Sequence, residues 1–128
     1  MKIIGIAISV IIILGVIYMY NQQSDGSSKA IDFQTVQADI ASGGRLIDVR
    51  SPEEYATGHI NGAINLDVVA IEAGGRPQVA KHQKLYLYCR SGARSGRATS
   101  MLTSAGFTNI VDLGAMTNVQ AMGAGTTN

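Results

Sequence analysis

The chain has 128 residues, with 10 Lys or Arg against 9 Asp or Glu and a formal net charge of +1. That length suits one domain, and a balanced charge with only 5% aromatic residues argues against a nucleic-acid partner. One Cys excludes an internal disulfide framework, and two His residues are too few for a structural zinc site, so no metal is expected.

Residues 1–20 read as a membrane element. Residues 3–20 (IIGIAISVIIILGVIYMY) carry no charge. As a helix they would span about 27 Å at ~1.5 Å per residue, close to the ~30 Å hydrocarbon core. A buried core helix would need a larger protein around it. Tyr18 and Tyr20 suit the membrane–water interface. The segment is expected to be a retained anchor, with a removed signal as the alternative, cleaved near Ser28 and Ala30. Lys2 and the amino terminus keep the near side in the cytoplasm, which delivers the rest of the chain outside it, to the periplasm in a bacterium. Residues 21–30 (NQQSDGSSKA) are polar and Ser-rich, as a flexible linker is.

Residues 31–128 form the working domain. Without Lys2, Lys29 and Asp25 it is neutral, but its charges are segregated. Acids dominate up to Glu72, whereas residues 73–111 hold Arg76, Lys81, Lys84, Arg90, Arg94 and Arg97 and no acid. Lys81 and Lys84 are expected on a solvated face. In chain order, Asp32 caps a first helix whose apolar face is Phe33, Val36 and Ile40, and Gly43-Gly44 ends it. Leu46–Val49 is a buried strand. Ser51-Pro52-Glu53-Glu54 combines an N-cap, Pro at the first helical position and a capping-box Glu. Ala63–Leu66 and Leu85–Tyr88 are strands, and a helix follows from about Ser95 to Ala105. Ile110–Asp112 is a last strand and Met116–Met122 a weak helix. Strands alternating with helices predict an α/β fold with a mostly parallel sheet covered on both faces.

The chemistry concentrates in the loop Cys89-Arg90-Ser91-Gly92-Ala93-Arg94-Ser95, at the carboxyl end of the clearest strand, where open α/β sheets bind ligands. Its small residues let consecutive N–H groups converge as an anion nest, and the following helix adds its positive dipole end. With Arg90 and Arg94 nearby, the thiol is expected to ionise easily. A thiol of pKa ~8.5 is about 3% ionised at pH 7; lowered by about 2 it is about 75% ionised, the state a nucleophile needs. Such a thiol is also expected to face solvent. A lone Cys on its own is more often a small buried hydrophobe; the strand–loop–helix setting is what turns the reading toward function.

Arg45–Leu66 (RLIDVRSPEEYATGHINGAINL), Leu85–Gly106 (LYLYCRSGARSGRATSMLTSAG) and Asn109–Met116 (NIVDLGAM) together resemble the single-domain rhodanese, or thiosulfate sulfurtransferase, family across residues 31–128. The membrane-proximal context is similar to that of the periplasmic phage-shock-type rhodaneses. The resemblance implies a cycle in which Cys89 takes the outer sulfur of thiosulfate or a related donor as a persulfide. It then passes the sulfur to a thiol, or to cyanide in an assay. By the same resemblance, the amides of Arg90, Ser91, Gly92, Ala93, Arg94 and Ser95 hold the persulfide, Arg94 helps bind the anionic donor, and neither metal nor organic cofactor is needed.

Asp48 and Arg50 follow a strand and are expected to fix neighbouring loops through charge-assisted hydrogen bonds, with His59 also structural. Tyr86 and Tyr88 alternate onto one side of their strand and are expected to pack. The family often has Gly-Gly before its last helix and a Trp within it. Here Gly114-Ala115 and Val119 stand in those places, which predicts looser terminal packing. Two other functions stay open. A Cys-dependent phosphatase or arsenate reductase uses five residues between Cys and Arg, whereas four separate Cys89 from Arg94. A binding module without turnover would usually lack the Cys.

Overall fold

A computed structural model describes the backbone of residues 2–21 and 30–128, and the side chains of residues 8–19 and 30–128. The chain divides into two units, Met1–Ala30 and Ile31–Asn128. The first contains helix α1 (Lys2–Asn21). Among the described residues no helix is long and apolar enough to cross a membrane. The side chains described in α1 cover residues 8–19, about 18 Å of helix at ~1.5 Å per residue, so both ends of the span expected at residues 3–20 lie outside them. The expected linker falls largely outside the described residues as well.

The second unit alternates strands and helices: α2 (Phe33–Ala41), β1 (Arg45–Asp48), α3 (Pro52–Ala56), β2 (His59–Ile60), β3 (Ala63–Asn65), α4 (Val68–Glu72), β4 (Leu85–Cys89), α5 (Ala93–Ser104), β5 (Ile110–Ala115), α6 (Met116–Ala121) and β6 (Thr126–Thr127). Four strands form a parallel sheet in the order β3-β1-β4-β5. The expected α/β architecture is the one observed. The antiparallel pair β2–β6 (His59 opposite Thr127, Ile60 opposite Thr126) and the short helix α4 were not expected. Neither two-residue strands nor a five-residue helix leave a periodic pattern long enough to read.

Local chemistry explains the element ends. The Asp32 carboxylate accepts from the Thr35 amide at 2.8 Å and starts α2. Ser51 Oγ accepts from the Glu54 amide at 3.2 Å, with Pro52 at the first helical position of α3. At Gly44 a Cβ would stand 2.8 Å from the Lys84 carbonyl and 2.9 Å from that of Asp39, so only glycine lets α2 turn directly into β1.

The sheet is buried on both faces because its side chains alternate. One face gathers Ile47, Val49, Leu85, Leu87 and Cys89 against Val68, Ile71, Ala98, Leu102 and Phe107. The other gathers Leu46, Tyr86 and Tyr88 against Phe33, Val36, Ile60 and Val119. Val119 is completely buried in that second core. Small as it is, Val119 is seated by α6 against the tyrosines of β4, and just beyond α6 a cavity of about 410 Å³ is lined by Phe33, Met122, Gly123 and Gly125. Lys81 and Lys84 are more engaged than a bare solvated face would make them. Lys81 Nζ lies 4.1 Å from the Phe107 ring and donates to the Ala105 carbonyl at 2.8 Å, and Lys84 sits over Tyr86.

Candidate active site

Cys89 is the last residue of β4, on the face packed by α5. The chain then makes a tight turn through Arg90, Ser91 and Gly92, and α5 begins at Ala93, two residues earlier than expected. Ala93, Arg94 and Ser95 therefore belong to the first turn of α5 rather than to a loop. Gly92 makes this possible: as the cap it takes φ +99°, a left-handed conformation that disfavours any side chain. Opposite it, β5 carries one extra residue, since Leu87 pairs with Asp112 but Tyr88 with Gly114, so the sheet is bulged beside the turn.

The turn folds donors onto the sulfur. The Gly92 N–H donates to Cys89 Sγ at 3.0 Å, and the Cys89 thiol donates to Ser95 Oγ at 3.6 Å, whose own hydroxyl donates to the Gly92 carbonyl at 3.0 Å. Burial alone would push the thiol up, but the amides of Ser95, Gly92 and Ser91 and the Ser95 hydroxyl outweigh it and leave the pKa below the ordinary 9.0. The lowered thiol expected at this position follows from the converging amides, the first of the causes the sequence offers, and less from the arginines. Main-chain donors lower it, and neither Arg90 nor Arg94 is among the leading contributors. Arg90 and Ser91 are exposed.

Two features depart from the expected site. Cys89 does not face solvent: it is 0% exposed. Arg94 is not free to wait for an anion. Its Nη1 and Nη2 donate to Glu54 Oε1 and Oε2 at 2.6 and 3.0 Å, a two-pronged ion pair between the first turn of α5 and α3. The Arg94 guanidinium holds the Glu54 carboxyl down to about 2. The Ser51-Pro52-Glu53-Glu54 spacing predicts a capping box, in which the Glu54 carboxylate turns back onto its own helix. The Ser51 half of that cap is present, but the Glu54 carboxylate is committed to Arg94.

Asp48 and Arg50 lie at the carboxyl end of β1 and are buried. Arg50 Nε donates to both Asp48 oxygens at 3.0 Å and its Nη2 to Oδ2 at 2.6 Å; Nη2 also reaches the Gly58 carbonyl at 2.7 Å. Tyr88, next to the cysteine, donates its hydroxyl to Asp48 Oδ2 at 2.8 Å and accepts from the Ile60 amide at 3.0 Å. This network ties β4, β1 and β2 together and anchors the start of α3, and with it Glu54. Tyr86 donates instead to Asp39. Burial comes first among the causes that raise both tyrosine hydroxyls. His59 stacks on Tyr55 with ring centroids 3.7 Å apart, and its Nδ1 lies 3.0 Å from the Tyr55 carbonyl. Among the described residues, no group of three or more His, Cys, Asp or Glu could hold a metal ion.

The family model for the rhodanese-like domain matches residues 32–121. The chain is 38% identical over 85 residues to thiosulfate sulfurtransferase 16 of Arabidopsis thaliana, a chloroplastic protein, covering 58% of this chain and 71% of that protein. It is 32% identical over 74 residues to thiosulfate sulfurtransferase PspE of Escherichia coli, covering 57% and 71%. Among solved structures, the human single-domain sulfurtransferase TSTD1 superposes with a TM-score of 0.55 at 29% identity, covering 67% of this chain and 88% of that one. With the fold, the Cys89 turn and these relatives in agreement, the chain belongs to the rhodanese-like domain family.

Proposed function

We propose that this chain is a thiosulfate sulfurtransferase that carries sulfur as a persulfide on Cys89. The observation that carries the reading is the turn after β4, whose amides and Ser95 hydroxyl stabilise negative charge on one sulfur atom. In the first half-reaction the Cys89 thiolate attacks the outer sulfur of thiosulfate. A bond forms between Sγ and that sulfur, the bond to the sulfonyl sulfur breaks, and sulfite leaves with the electron pair. The negative charge moves to the outer sulfur, where the same donors hold it. In the second half-reaction cyanide or a thiolate attacks that outer sulfur and the Cys89 thiolate departs. Because Cys89 is buried, the exposed Arg90–Ser91 turn must move aside to admit the donor.

The test is direct. Incubating the full chain with thiosulfate adds about 32 Da, one sulfur atom, to the Cys89 peptide, and cyanide removes it. A second reading, a binding module without turnover, is favoured by the buried thiol. An unmodified Cys89 after exposure to thiosulfate supports that module and defeats the sulfurtransferase.

We also propose that α1 anchors the catalytic unit outside the cytoplasm. Support comes from the uncharged residues 3–20 and from large apolar side chains in α1 that are exposed, among them Ile11 at 68% and Met19 at 75%. Amino-terminal sequencing of protein recovered from membranes should start at Met1. A start near residue 31, or recovery in the soluble fraction alone, removes the anchor.

A further inference from the structure

We propose that Glu54 is a specificity-determining residue for the sulfur donor: its carboxylate fills the Arg94 fork that a dianion would use, and so biases the site toward donors of lower charge. This rests on the sulfurtransferase reading above, and concerns which donor the same site prefers.

The geometry supplies the competition. A guanidinium binds a carboxylate and the oxygens of a sulfonate through the same pair of parallel N–H groups. In Arg94 both terminal nitrogens are spent on Glu54. Arg94 sits in the first turn of α5, which follows Cys89 directly after the turn, and lies within electrostatic reach of Cys89 and Asp48 while its charge is paired with Glu54. The other charged neighbour of Glu54 is Arg50, which Asp48 already neutralises. Among the described residues, Arg94 and Arg50 are thus both committed to carboxylates, and Arg90 is exposed.

Protonation does not free Arg94, because the carboxyl stays ionised down to about pH 2. Only a competing anion, or movement of the exposed pair, releases it. Both partners have 32% of their side-chain surface exposed, so such exchange needs no rearrangement of the core. The consequence is an energetic surcharge that grows with the negative charge of the donor, since Glu54 repels the arriving anion and must be displaced from Arg94.

The experiment compares two donors that both carry an outer sulfur on a sulfonyl group: thiosulfate, a dianion, and methanethiosulfonate, a monoanion. In the full-length chain, Glu54→Gln should lower KM for thiosulfate about fivefold and that for methanethiosulfonate about twofold, with kcat within about twofold for both. Glu54→Ala should move both constants the same way, and a thermal melt of each variant shows whether it is folded. Arg94→Ala should raise KM for thiosulfate, and adding Glu54→Gln to it should lower KM by less than the same change does in the unaltered chain, since only the repulsion of the anion is then left to relieve. An unchanged or raised KM in Glu54→Gln, or an equal fall for the two donors, overturns the proposal and leaves Glu54 as a brace for Arg94. If the unaltered chain takes sulfur from neither donor, the sulfurtransferase reading itself falls and this role with it. If it is active and only the donor preference fails to move, the Glu54 role alone is lost.

Discussion

Cys89→Ala should reduce thiocyanate formation from thiosulfate and cyanide by more than about 1,000-fold, because the variant removes the atom that bonds to the transferred sulfur. The fold should survive, since the change removes a single sulfur atom from a core whose bulk is Leu, Ile and Val. Steady-state kinetics on both proteins checks the loss, and thiocyanate output unchanged by the substitution would discredit the mechanism. The same thiol has a pH signature. Its pKa is lower in the folded chain than the ordinary 9.0, so ionisation favours the folded state once the pH exceeds the folded-state value. That contribution is fully present above the unfolded pKa and is lost as pH falls through the folded one. Stability curves of the two proteins should therefore diverge as pH rises toward 9.0, and alkylation of the unaltered chain should show a midpoint below 9.0. A midpoint at or above that value would contradict the stabilisation by the Ser91, Gly92 and Ser95 amides.

Asp48→Ala should strongly destabilise the catalytic unit. Asp48 is 0% exposed and takes hydrogen bonds from the Arg50 side chain, the Arg50 amide and the Tyr88 hydroxyl. Removing it leaves a buried guanidinium without its counter-charge and a buried hydroxyl without its acceptor, and breaking a buried pair in this way costs about 3–5 kcal/mol. Against a total stability of about 5–15 kcal/mol for a domain, that lowers the melting temperature by at least about 12 °C. Circular dichroism melts measure it. A fall below about 3 °C would mean that the network carries little of the fold. The loss should extend to function, because Arg50 also holds the Gly58 carbonyl and Asn65 Nδ2 bridges the Asp48 and Arg50 carbonyls; together these set where α3 begins.

The parts of the fold legible in sequence are those decided within a few residues. The Asp32 cap, the Ser51-Pro52 start and the all-apolar β4 each follow from one short segment and its backbone chemistry. The Cys89 turn belongs in part to this group, since small residues after a buried strand announce converging amides. The start of α5 was misplaced because it depends on the left-handed Gly92, and a glycine in sequence signals either the end of a turn or a point within it. The partner of Glu54 is hidden for a similar reason. Spacing three residues after Ser51 suggests a capping box, whereas its actual partner, Arg94, lies 40 residues on and meets it only because β1 and β4 are neighbours.

By itself, then, the order of residues determined the alternation of strands and helices, the two-faced core and the place of the Cys89 turn at the end of a buried strand, because hydrophobic period and capping act over a turn or a strand. Tertiary structure alone decided that Arg94 is neutralised by Glu54 and that Cys89 lies beneath the surface. Those are properties of distances between segments remote in the chain. Coulomb energy, hydrogen bonding and solvent access all depend on such distances, and they exist only once the parallel sheet has closed.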